Sequence, residues 1–156
     1  MAIHAVSIAD QIVTAINAGS YSNSFDPTAE RYLIGNRSVE NLEDSKSLSV
    51  AVVPFSLTDA TFQSASRLIE TYQTTIHIRC NVGKNDNSNT FTAAEIENLL
   101  QFVGEVQTQI CEWEKDRTDF ELIRYENTVL YDPELIQKGQ FHSIVLIESS
   151  KEKDLS

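Results

Sequence analysis

From Tyr72 to Val82 apolar and polar residues alternate without a break. Tyr72, Thr74, Ile76, Ile78, Cys80 and Val82 fall on one face, and Gln73, Thr75, His77, Arg79 and Asn81 on the other. A period of two over that length predicts a long strand with one face on a core and the other toward water or a partner. Leu48, Val50 and Val52 alternate with Ser49, Ala51 and Val53 in a second strand, which Pro54 is expected to stop. Ala29 to Ile34 reads as a strand before it. Phe141 to Glu148 predicts the last strand, and its apolar run Ile144 to Ile147 places it inside a sheet. Thr128 to Tyr131 predicts one more strand, while the pattern from Phe120 to Tyr125 is weak.

The helical periods are equally plain. Ser7 can cap a helix over Ser7 to Ala18 whose stripe is Ile8, Ile12, Ala15 and Ile16, with Gly19 at its end. Thr92 and Glu95 form a capping box, and Phe91 can staple Ile96 across the first turn. Ile96, Leu99, Leu100, Val103, Val106, Ile110 and Trp113 then hold one face for about six turns. Gly104 inside this helix is expected to mark a close backbone contact, since glycine costs roughly 1 kcal/mol there. Asp132-Pro133-Glu134 starts a short helix, with Asp as cap and Pro in the first turn, and Gly139 ends it.

Between these elements the chain is polar. Ser20 to Pro27, Gly35 to Ser47 and Gly83 to Thr90 read as turns or loops, and Phe55 to Ser66 as a connection. Residues 149–156 read as a charged, frayed tail behind a single domain over 1–148. The class that follows is α+β: one mixed, largely antiparallel sheet of about four to five strands, with the long helix and the N-terminal helix packed on it.

Composition narrows the function classes. The chain has 156 residues, 12 basic against 23 acidic, for a net charge of −11. Wrapping DNA or docking on anionic lipid needs clustered Lys and Arg, which argues against both. The longest apolar runs are too short to span a bilayer, and Met1 to Val6 lacks the basic and apolar regions of a signal peptide. Cys80 and Cys111 read as buried free thiols of a reducing compartment.

Candidate chemistry is sparse. His4, His77 and His142 have no Cys or His at ligand spacing, so no metal or cofactor is expected. Asp86, Ser88, Thr90, Thr92 and Glu97 echo a calcium loop, but Phe91 stands where the glycine is required. No G-x-S-x-G elbow or Gly-rich phosphate loop is present, and the acids at Glu40, Glu43, Asp44 and at Glu112, Glu114, Asp116 read as solvated surface. No catalytic residue is expected.

Three stretches carry a resemblance: Glu30-Arg31-Tyr32, then Asn41-Leu42-Glu43-Asp44, then Leu48 to Pro54. Together with Ile76-His77-Ile78, Tyr131 to Leu135 and Phe141 to Val145, they resemble small neck proteins of tailed bacteriophages. The element order of helix, three strands, long helix, strand, short helix, strand is similar to the tail-terminator fold. The resemblance implies a virion protein made in the bacterial cytoplasm. It would form a homo-oligomeric ring, six subunits in the expected case, capping the tail tube and contacting a head-proximal connector protein. DNA would pass through the lumen without specific binding, repelled by carboxylates. The alternatives are another neck protein, or an acidic module that mimics DNA and inhibits a basic partner. A lysine expected near the end of the long strand is displaced here to Lys84. Polar loops beside rigid strands present binding surfaces, so Arg37, Glu43, Lys84 and Asp86 are the expected interface residues.

Overall fold

The computed structural model describes residues 4–32, 48–81, 91–117 and 119–154. Along the chain run α1 (His4–Asn17), β1 (Ala29–Arg31), β2 (Leu48–Ser64), β3 (Arg67–Asn81), α2 (Ala93–Arg117), β4 (Glu121–Val129), α3 (Pro133–Gln137) and β5 (Gln140–Asp154). The order of elements agrees with the sequence reading. The five strands form one sheet in the order β1-β2-β3-β5-β4. β1 runs parallel to β2 and the other three pairings are antiparallel. The class is α+β with a mixed sheet.

Alternation explains the core. Tyr72, Thr74, Ile76, Ile78 and Cys80 are buried on one face of β3, opposite Ser149, Ile147, Val145, Ser143 and Phe141 of β5. Val50 and Val52 of β2 pair with Ile78 and Ile76 on the same face. Ile8, Ile12 and Ile16 of α1 and Leu99, Val103, Val106 and Ile110 of α2 close over it in one cluster. Phe102, outside the expected α2 stripe, is fully buried, with Tyr21 and Phe25 edge-on to its ring at 5.0 and 5.5 Å. β5 lies between β3 and β4, the interior position its apolar run predicted.

The local signals at helix ends split. Thr92 and Glu95 do exchange side-chain to backbone hydrogen bonds, at 3.1 and 3.2 Å. Asp132 caps α3 through the Glu134 N–H at 2.9 Å, and Gly139 takes a positive φ of 74° just past its end. Ser7, however, is no cap. α1 already includes His4, and the Ser7 hydroxyl instead accepts from Gln11 Nε2 at 3.2 Å.

Gly19 follows α1 without a left-handed backbone; what it supplies is space. A Cβ there would lie 2.6 Å from the Tyr21 hydroxyl oxygen and 2.9 Å from Gln109 Cγ. That hydroxyl donates to the Ile16 carbonyl at 2.6 Å, closing the open end of α1. Gly19→Ala is therefore expected to cost about 1–3 kcal/mol through overpacking and the displaced hydrogen bond, readable as a lower urea midpoint with an unchanged slope.

Gly104 overturns its expectation. It faces open space, with nothing within 4 Å of an added Cβ. With no contact to lose, Gly104→Ala should stabilise the protein by about 0.5–1 kcal/mol, because alanine restricts the unfolded chain and favours the helix. A thermal melt that fell instead would contradict this.

Four strand boundaries also change. Pro54 does not stop β2, which continues to Ser64 with register shifts after Pro54, Leu57 and Phe62. The Val52 carbonyl accepts from Tyr32 N–H on the β1 side. Two residues on, the Pro54 nitrogen points to that same side, where its missing N–H breaks no bond to β3. The segment expected as a connection is thus half of a hairpin, turned at Ala65-Ser66 and completed by β3 from Arg67. The expected tail is strand as far as Asp154, paired with Arg67 to Tyr72. Finally, β4 is Glu121–Val129 rather than Thr128 to Tyr131, and it pairs with β5 as an edge strand.

Candidate functional site

All three helices contribute side chains to the cluster on one face of the sheet. The opposite face contributes none. That second face carries Ala51 and Val53 from β2, Gln73, Thr75, His77 and Arg79 from β3, and His142, Ile144, Leu146 and Glu148 from β5, the β3 and β5 residues set side by side by an unbroken register. Polar pairs cross it. Gln73 Nε2 donates to Glu148 Oε1 at 3.0 Å.

The most concentrated group on this face is His77, His142 and Arg79. His142 lies opposite Arg79, and His77 opposite Ile144, so the two imidazoles are diagonal neighbours. His77 Nδ1 and His142 Nε2 are 3.0 Å apart, and Arg79 Nε–H points at the same His142 nitrogen from 3.5 Å. Donors aimed at one nitrogen make it the acceptor. His77 therefore carries its proton on Nδ1, and His142 carries its own on the far nitrogen. Burial, then the Arg79 charge, lowers the pKa of His77; burial, Arg79 and His77 push His142 down to about 4. Both rings are neutral at neutral pH. Arg79 itself is 5% exposed, although alternation alone put it on the polar face.

A second cluster stands where α1 meets the sheet. The buried Glu70 carboxylate accepts from the Tyr72 hydroxyl, with His4 Nδ1 at 3.8 Å and Lys153 Nζ at 4.0 Å. Nearby, Asp119 joins Gln11 and Lys151, tying α1 to β5. Its carboxyl sits below the ordinary range, first because Lys151 bonds it. These groups hold the base of an arm. Past Glu70, residues 60–67 of the β2–β3 hairpin are all exposed, Phe62 at 68%.

Exposed apolar residues gather at two places. Phe55 and Phe62 lie on β2, whose outer side is paired with β1 only from Val50 to Val52 among the described residues. Ile123, Val129 and Leu130 lie on and just after β4, the opposite edge of the sheet.

The expected interface residues Arg37, Glu43, Lys84 and Asp86 lie outside the described residues, as do Asp86 to Thr90 of the calcium-loop echo. Among the described residues no three or more His, Cys, Asp or Glu side chains gather as a metal cluster. Cys80 is buried and Cys111 half-buried. Burial, then Glu114, raises the Cys111 thiol, which keeps it protonated and a poor nucleophile. No described helix is long and apolar enough to cross a membrane.

None of the protein-family models matches this chain, and none of the curated proteins is significantly similar to it.

Proposed function

We propose that this chain is a structural subunit of the bacteriophage neck, a tail-terminator-like protein that closes into a ring on the tail tube and joins it to the head. The observation that carries the reading is the pair of apolar patches on opposite edges of one open sheet, Phe55 and Phe62 on the β2 side and Ile123, Val129 and Leu130 on the β4 side. Head-to-tail ring closure needs two unlike patches on every subunit. A two-fold dimer would use one patch twice. The resemblance supports the same reading: Glu30-Arg31 and the Val50-Ala51-Val52 run that carry it are paired parallel strands in the fold.

In this role the chain acts by assembly. The net charge of −11 keeps phosphate away from a ring through which DNA travels. The polar loops with Arg37, Glu43, Lys84 and Asp86 supply contacts to the neighbouring subunit or to the tube protein. The resemblance implies a ring of six subunits.

Light scattering and negative-stain imaging, with and without purified tail tubes, test the proposal. Rings on the tube end are expected, and Phe62→Ser and Leu130→Ser should each abolish them while leaving the circular dichroism unchanged. A strictly monomeric chain that leaves the tubes uncapped would overturn the reading.

A further inference from the structure

We propose that His77 and His142 form a two-imidazole chelate for a divalent transition ion that favours right-angle coordination, Ni2+ or Cu2+, on the sheet face opposite the helices. This site stands apart from the neck role.

It rests on how the two rings are placed. β3 and β5 pair without a register shift from Arg67–Asp154 to Asn81–Gln140, so the diagonal placement of His77 and His142 is set by backbone hydrogen bonds on both sides of them. Two ligands held on a rigid sheet lose little freedom when an ion arrives. The facing nitrogens are 3.0 Å apart. Imidazole nitrogens lie about 2.0–2.1 Å from a bound first-row ion such as zinc. Two such ligands at a right angle are then about 2.9 Å apart, and at a tetrahedral angle about 3.4 Å. The observed separation, set here by the hydrogen bond, is close to that of neighbouring ligands in a square-planar or octahedral shell. A right-angle shell, which Ni2+ and Cu2+ take more readily than Zn2+, therefore needs the smaller change of spacing when the rings tilt.

Hydrogen bonding also favours capture. His142 Nε2 is the acceptor for both His77 Nδ1 and Arg79 Nε, so its lone pair already faces the place of the ion. His77 must change tautomer. Its Nδ1 proton leaves to water as its Nε2 takes one up, with no net proton released. The rings, now 5.2 Å between centroids in a nearly head-on hydrogen bond, tilt so that both lone pairs meet at the ion. Water on the half-exposed side of the pair fills the remaining positions.

Arg79 sets the limit on affinity. Its guanidinium, 3.5 Å from His142 Nε2, repels a cation at the site. Removing that charge should tighten binding, an effect that a merely structural histidine pair has no reason to show.

Calorimetric titration of the full chain with NiCl2 and with ZnCl2, in a His4→Ala background that removes the remaining histidine, provides the test. The expected result is one Ni2+ per chain, bound more tightly than Zn2+. Binding should weaken roughly tenfold or more in His77→Gln and in His142→Gln, and tighten in Arg79→Gln. Paramagnetic broadening by Ni2+ of the His77 and His142 ring resonances in the otherwise unaltered chain gives a readout that needs no site variant to fold. Zinc preferred over nickel, equal binding in the two glutamine variants, or ring resonances that Ni2+ leaves sharp would each overturn the proposal.

Discussion

Phe102→Ala is expected to lower the unfolding free energy by about 3–5 kcal/mol, the largest loss from any one truncation in α2. The ring is fully buried, and both of its edge-on aromatic neighbours, Tyr21 and Phe25, come from the segment between α1 and β1. Truncation therefore removes transfer free energy and two aromatic contacts, and it leaves a cavity walled by elements far apart in sequence. The Tyr21 hydroxyl, which closes α1 through the Ile16 carbonyl, would lose the ring that holds it in place. Urea unfolding followed by tryptophan fluorescence reads the effect, since Trp113 lies on the same helix. A loss below about 1 kcal/mol would mean that the neighbouring segment collapses into the space. Phe102→Leu, which keeps most of the volume, should recover more than half of the loss.

Phe102 also shows where sequence reading stops. A stripe drawn at i, i+3 and i+4 from Ile96 passes beside it, because a helix under two structural layers buries a wider arc than one lying on a sheet alone. The segment that covers Phe102 was legible only as a polar turn. Three signals confined to a few residues were read correctly, while the Ser7 cap was not: the Thr92–Glu95 box, the Asp132–Pro133 start and the Gly139 stop each satisfy backbone groups within one turn. The alternation of Tyr72 to Cys80 was legible for the same reason, since burial of one face repeats every second residue.

Long-range pairing decided what was missed. Nothing in Ser149 to Asp154 alternates in hydrophobicity, yet it is strand because β3 offers it a continuous row of partners from Tyr72 back to Arg67. A proline halts a central strand, but the Pro54 nitrogen faces the β1 side, where no described residue needs its N–H, and β2 runs on to Ser64. The turn at Ala65-Ser66 lacks the Asn-Gly signature of tight hairpins. As for the candidate site, the period of two put His77 and Arg79 on one face. Only the β3–β5 register brings His142 to them.

That register has a consequence in acid. Stability should fall by roughly 1–2 kcal/mol as the pH drops from about 6.5 to about 4, through His142 alone, solvent screening of the half-buried ring taking off part of the full shift. In the unfolded chain its imidazole protonates near the ordinary value. In the fold, burial, the Arg79 charge and His77 hold it down to about 4. Between those two values the unfolded state binds a proton that the folded state refuses, so acid favours unfolding. The stabilisation is complete above the unfolded pKa and is lost as the pH falls toward the folded one. His77, lowered by burial and by Arg79, adds in the same direction. Asp119 acts later, because its carboxyl is held below the ordinary carboxylate range and its contribution disappears only in stronger acid. The His77→Gln/His142→Gln double variant cannot take up these protons. Its urea-derived stability should change far less than that of the parent chain between neutral pH and about pH 5. Parallel losses in the two proteins would mean that the pair titrates as it does in the unfolded chain, and that the acid limb belongs to other groups.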